Sequence, residues 1–197
     1  MAHIDYFFTP LSPFAYLAGD GLERIAAKHG ATVTYKPANY GRLMGETGGL
    51  PVGKRHPSRQ AYRLQDLPRL ARRNGLAMNV EPAHWPTDGS HAAAAIIAAQ
   101  DAGGGDVGRL ARLLAAACWA EEKDIANPAV VDEALTASGF DIATLDIAAG
   151  RMKIEPITDE GVAAGVFGAP FYIVDGTEKF WGQDRLPHLD DHLSEIA

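Results

Sequence analysis

The stretch Ile4-Asp5-Tyr6-Phe7-Phe8-Thr9-Pro10-Leu11-Ser12-Pro13-Phe14-Ala15-Tyr16-Leu17 decides how the rest of the chain is read. Residues 4–8 favour extended backbone and Asp5 alone is polar, the pattern of a central strand buried on both faces. Thr9-Pro10 breaks that strand. Ser12 before Pro13 reads as a helix N-cap with proline at the first helical position. Phe14, Leu17, Ala18, Leu22 and Ile25 then recur at three-to-four spacing, so one helix is expected as far as His29-Gly30. Thr32 to Lys36 alternates as a second strand, closed by Pro37. Strand, helix and strand within 37 residues have the length of one right-handed crossover unit.

Further on, the pattern changes. Tyr40 to Pro57 is rich in Gly and Pro and carries Arg42, Lys54, Arg55 and His56, and is expected to be a long functional loop. Residues 58–74 read as a helix with a basic face of Arg59, Arg63, Arg69, Arg72 and Arg73. Helices are also expected over 89–102 and 106–123, the latter with Val107, Leu110, Leu114 and Cys118 on its apolar stripe. Pro128–Ser138 and Asp141–Gly150 read as shorter helices, and Thr158–Ala164 as another. Strands return with Phe171-Tyr172-Ile173-Val174, the tight-turn pair Asp175-Gly176, and Lys179-Phe180-Trp181. Asp184 is expected to cap a final helix through Ile196.

Length and composition bound what this chain does. Its 197 residues, 47% hydrophobic and 22% charged, suit one globular domain or one domain with a large insertion. Eighteen Lys plus Arg against twenty-five Asp plus Glu give −7, which argues against a nucleic-acid partner. The one cysteine, Cys118, excludes an internal disulfide, a CxxC pair and a thiolate-rich zinc site. It reads as a small core residue. His56, His84 and His91 lack metal-ligand spacing, so no metal is expected. Residues 1–20 hold no Lys or Arg and no clean apolar run, and no stretch approaches a membrane span. A cytoplasmic location without membrane contact is expected.

The element order is βαβ, an all-helical block, then αββα. Without the block it resembles the thioredoxin order, and with it the DsbA-type architecture: an α/β, thioredoxin-like fold with a large all-helical insertion. Residues 1–40 and 155–197 are then the thioredoxin-like unit and 41–154 the helical insertion. In that fold the turn between the first strand and first helix carries the chemistry, and disulfide oxidoreductases place CxxC there. Here the four residues are Ser12-Pro13-Phe14-Ala15. A hydroxyl replaces the reactive thiol, so exchange chemistry is excluded at this position. Ser12 either caps the helix only or also donates a hydrogen bond to a ligand's thiolate. Val166-Phe167-Gly168-Ala169-Pro170 matches the fold's cis-proline segment, whose backbone can hold an extended peptide; it is otherwise an ordinary strand start. Asp184 and Arg185 beside Gly182 read either as solvated charges or as a clamp for a zwitterionic end group such as γ-glutamyl.

FFTPLSPFAYLA, DLPRLARRNGL, GVFGAPFYIVDG and FWGQDRL together resemble the 2-hydroxychromene-2-carboxylate isomerase family, related to kappa-class glutathione transferases, essentially end to end. The resemblance implies glutathione as a bound cofactor, with Ser12 at its sulfur. Phe167 or Val166, with Ala169-Pro170, would hold its backbone, and Gln183, Asp184 and Arg185 its γ-glutamyl part. It further implies a homodimer and a small-molecule substrate. The implied reaction is reversible thiolate addition to a conjugated 2-oxo or hemiketal acid, with rotation and elimination. Family members carry Thr-Gly-Asn-x-x-Pro-Pro and Pro-Ala-Lys; this chain has Thr47-Gly48-Gly49-Leu50-Pro51 and Pro57-Ser58-Arg59. Gly49, Lys54, Arg59 and Trp85 are the candidates for the altered substrate side, each with a plain surface or packing role as its alternative. Kappa-like conjugation of electrophiles, and a non-catalytic binding module, are the rival functions.

Overall fold

A computed structural model describes residues 1–196. Four strands, β1 (His3–Phe8), β2 (Thr32–Pro37), β3 (Phe171–Val174) and β4 (Glu178–Trp181), form one sheet in the order β2-β1-β3-β4. β1 pairs parallel with β2, placing Tyr6 opposite Tyr35, and antiparallel with β3, placing Tyr6 opposite Tyr172. β3 and β4 form the expected hairpin, with Phe171 opposite Trp181. Because β1 lies inside the sheet, its alternate side chains feed two cores. Tyr6 and Phe8 stack at 4.4 Å and join Tyr35 and Tyr172 on one face. Phe7 joins Leu43, Val166, Phe171 and Ile173 on the other.

The helix expected from Pro13 to His29 is two helices, α1 (Pro13–Leu17) and α2 (Gly21–His29). Gly19, at φ +60°, turns the chain between them, a conformation that is costly for a residue with a Cβ. The expected loop after Pro37 begins instead with a helix, α3 (Tyr40–Glu46), whose N-cap Asn39 accepts a hydrogen bond from the Arg42 N–H. Tyr40 and Leu43 on α3 complete the second core, which is why a Gly-containing segment folds as helix here. Residues 47–56 keep only one short turn of 3-10 helix, Val52–Lys54.

The helical block comprises α4 (Pro57–Asn74), α5 (Ser90–Ala102), α6 (Val107–Trp119) and α7 (Pro128–Ala137). Then comes α8 (Ile147–Ala163), one continuous helix where two short ones were expected. The segment after Asp141 forms only a 3-10 turn, Ile142–Thr144. Thr158 does not open a helix: within α8 its hydroxyl donates to the Ile154 carbonyl at 2.7 Å and accepts from the Asn39 N–H at 2.9 Å. It thereby fastens α8 to the start of α3. The junction expected between residues 154 and 155 falls inside this helix, and residue 197 lies outside the described residues. The last helix, α9 (Leu186–Glu195), has Arg185 at its N-cap with no side-chain bond, so Asp184 does not cap it. Among the described residues no helix is long and apolar enough to cross a membrane.

Candidate functional site

A cleft of about 1410 Å³ opens where the β1–α1 turn, the segment before β3 and the helical block meet. Ser12 lies on it. Its oxygen accepts the Ala15 N–H at 3.2 Å, the cap expected from Ser-Pro, and its hydroxyl donates to the Ala169 carbonyl at 3.3 Å. One side chain thus joins the start of α1 to a segment 157 residues away. The Ala169-Pro170 peptide is cis. Tyr40 fixes this segment by donating its hydroxyl to the Gly168 carbonyl at 3.1 Å, and the Gly182 N–H donates to the Pro170 carbonyl at 2.9 Å. The Ala169 N–H has no hydrogen-bond partner among the described residues. A Cβ on Gly168 would lie 2.2 Å from Trp181 Nε1, so the close approach of the indole requires glycine there. Phe167 stands edge to face with Trp181 at 4.8 Å and with Phe171 at 5.2 Å, an exposed aromatic wall beside Ser12.

The opposite wall comes from the helical block. Trp85 lines it and donates its indole N–H to the Leu11 carbonyl at 3.1 Å, tying the loop before α5 to the β1–α1 turn. Its ring lies 5.5 Å from that of Trp119, which is fully buried. Arg59 and Gly49 also line the cleft, and the Gly49 N–H donates to the Met44 carbonyl at 2.7 Å. Lys54 is exposed and is not among the cleft-lining residues.

The basic face expected on α4 divides. Arg69, Arg72 and Arg73 are exposed and lie away from the cleft, whereas Arg59 and Arg63, one turn apart, line it. Arg63, expected only as one member of that basic face, is 9% exposed. Its guanidinium carbon sits 4.9 Å from the Trp85 ring centroid and 5.6 Å from that of Trp119. Burial, and secondly the charge of Arg55, push its pKa down from the ordinary arginine value. The i, i+4 spacing from Arg59 was the available signal, but the indoles that bury Arg63 come from distant parts of the chain.

Gln183, Asp184 and Arg185 form a short turn after β4, and none lines the cleft. Asp184 and Arg185 pair with each other at 2.9 Å, both exposed. Cys118 is buried in the main core, as its position on the apolar stripe suggested, and burial pushes its thiol up to about 12. No group of three or more His, Cys, Asp or Glu among the described residues is placed to hold a metal ion.

A mixed four-stranded sheet with a helical block behind its first βα turn, and serine at that turn, defines a class of protein. The chain belongs to the DSBA-like thioredoxin domain family, which matches residues 3–194. It is 27% identical over 202 residues to a 2-hydroxychromene-2-carboxylate isomerase of Pseudomonas putida, covering 98% of this chain and 95% of that protein. A solved structure of 2-hydroxychromene-2-carboxylate isomerase superposes with TM-score 0.79 at 22% identity, over 98% of this chain and 95% of the other. The cytosolic disulfide reductase DsbM of Pseudomonas aeruginosa, solved with GSH, superposes with TM-score 0.62 at 19% identity, over 98% and 96%.

Proposed function

We propose that this protein is a glutathione-dependent isomerase of a conjugated aromatic 2-oxo or hemiketal acid, 2-hydroxychromene-2-carboxylate or a close analogue. The observation that carries the reading is Ser12: a hydroxyl, bonded to the Ala169 carbonyl, lines the cleft where relatives of this fold carry thiols. The protein's own thiol, Cys118, is buried in the core and is not among the cleft-lining residues. A sulfur working in this cleft therefore arrives with a ligand. The names of the full-length relatives support the isomerase reaction, and DsbM solved with GSH supports the ligand.

The residues present fit such a ligand. Single-ligand sites usually span about 300–1,000 Å³, so a cleft of about 1410 Å³ accommodates a tripeptide and a second molecule together. The unpartnered Ala169 N–H offers a backbone donor to a peptide, and Phe167 with Trp181 gives it an apolar wall. Ser12, Phe167 and Ala169, which line the cleft, are the residues assigned to glutathione; Pro170, which is buried, and the turn Gln183–Arg185 lie outside the cleft lining and receive no contact in this reading. When bound, glutathione supplies a thiolate that adds reversibly to a conjugated carbonyl. Because α1 has only five residues, its macrodipole is weak, and the Ser12 hydroxyl carries most of the stabilisation of that negative charge. Rotation about its Cβ–Oγ bond turns the proton from the Ala169 carbonyl into the cleft while the oxygen keeps the Ala15 N–H.

The test is to follow interconversion of 2-hydroxychromene-2-carboxylate by its ultraviolet spectrum, with and without glutathione, while titrating free thiol. Glutathione-dependent isomerisation at constant thiol is expected. Steady loss of thiol would replace the reading with conjugation, and no rate at saturating glutathione would overturn it.

A further inference from the structure

Arg63 is the most heavily buried of the arginines that line the cleft, and no acid among the described residues pairs with it. It makes no ion pair and no side-chain hydrogen bond among the described residues, and its Nη2 is buried without a partner. Glu81 exerts a favourable field on it but forms no ion pair with it. Arginine stays protonated under all ordinary conditions, so this is a buried charge with unfilled donors. A buried unpaired charge is costly to keep, and buried charges are ordinarily paired and hydrogen-bonded.

The indoles of Trp85 and Trp119 offset part of that cost. Both rings lie within cation–π range, and such contacts strengthen when desolvated. They also fix the guanidinium plane, because Trp85 is itself held by its bond to the Leu11 carbonyl, one residue before Ser12. The fork of donors is thus prepositioned, and its station is coupled to the turn that carries Ser12. A planar, prealigned fork suits a carboxylate, which it takes through two parallel hydrogen bonds. Arg55 and Arg59, also on the cleft, add positive potential on the same side. Apart from Arg55 Nε, which donates to the Leu50 carbonyl, neither makes an ion pair or a side-chain hydrogen bond as donor among the described residues.

We propose that Arg63, held on the faces of Trp85 and Trp119, binds the carboxylate of the second ligand in the cleft, and that this ligand is an aryl monocarboxylate whose ring packs beside Trp85. The assignment rests on the proposed function for calling the cleft a substrate site, but the pairing itself depends only on this chain's residues. It places the acid group of the substrate on the helical side of the cleft and leaves the Ser12 hydroxyl to the glutathione sulfur.

The experiment uses two neutral-pH probes of the same shape, cinnamate and cinnamamide, with binding read by tryptophan fluorescence and calorimetry. Wild-type protein is expected to bind cinnamate at least about 30-fold more tightly than cinnamamide, the discrimination typical of a desolvated charge pair. Arg63→Met should erase that ratio while leaving the affinity for glutathione unchanged, and Arg63→Lys should restore part of it. The wild-type comparison stands even if Arg63→Met folds poorly. Equal affinities of wild type for the two probes, no cinnamate binding, an unchanged ratio in folded Arg63→Met, or inorganic phosphate binding as tightly as cinnamate would each overturn the assignment. Carboxylate discrimination without glutathione-dependent turnover would instead refute the isomerase reading and leave Arg63 in place.

Discussion

Replacing Ser12 by alanine separates the structural from the chemical work of one hydroxyl. The variant loses the cap to the Ala15 N–H, worth about 1 kcal/mol, and the 3.3 Å bond to Ala169, worth about another 1 kcal/mol. For a chain of this size that is a fall of about 4–8 °C in melting temperature, so the protein stays folded. Its effect on the thiol of bound glutathione is larger in consequence. A hydrogen bond to a charged group contributes about 1.5–3 kcal/mol, which corresponds to a rise of about 1–2 pKa units when it is lost. At neutral pH turnover should drop about 10- to 100-fold, with glutathione affinity kept because Ala169 still offers its backbone. The assay follows thiolate absorbance of the bound tripeptide across a pH titration, beside steady-state rates. Ser12→Thr, which retains the hydroxyl, should recover most of the loss. A Ser12→Ala protein whose bound thiol titrates as in wild type would refute the assignment of the hydroxyl to sulfur.

Two more perturbations follow from the packing. Cys118 is buried and its thiol is pushed up to about 12 from the ordinary 9.0, so alkylating reagents at mildly alkaline pH should modify it only after denaturation. A thiol raised in the folded state leaves stability intact below its unfolded pKa and removes it as pH rises from about 9 towards about 12, because the unfolded chain releases the proton first. Chemical-denaturation curves should therefore show an alkaline fall that Cys118→Ala diminishes. Gly168→Ala would bring a methyl group against Trp181, at 2.2 Å from Nε1, and should displace the indole. A loss of about 1–3 kcal/mol in stability and a weaker grip on glutathione are expected, measured by unfolding and by calorimetry; unchanged values would show that Trp181 moves freely.

Much of the frame was legible from local pattern. The β1 run, the Ser12-Pro13 cap and the hairpin at Asp175-Gly176 depend on neighbours within a few residues, and each stands where the sequence places it; the cis peptide at Ala169-Pro170 was expected from the resemblance to the thioredoxin-like fold and is present. The misreadings share a different cause. The apolar stripe beyond Ser12 is continuous, so it hid the turn at Gly19 that divides α1 from α2. Thr158 looks like a cap because it prefers to bond backbone locally, but its partners are Ile154 within α8 and Asn39 far away. Asp184 likewise resembles a cap and instead pairs with Arg185.

The cysteine count and the serine at the βα turn needed no structure to exclude exchange chemistry, because that conclusion depends on which atoms the chain possesses. Periodicity settled the strands and most helices, since backbone hydrogen bonding and one-sided burial are repeated every two or 3.6 residues. Which charges face water could not be read in that way. Arg59, Arg63, Arg69, Arg72 and Arg73 look alike on a helical pattern, yet Arg63 alone is buried, by two indoles 22 and 56 residues further along the chain. Only the tertiary fold brings those rings to it, and only the fold closes a cleft between Arg63 and Ser12. The electrostatic character of a side chain depends on what excludes water from it, and here the groups that do so are distant in sequence.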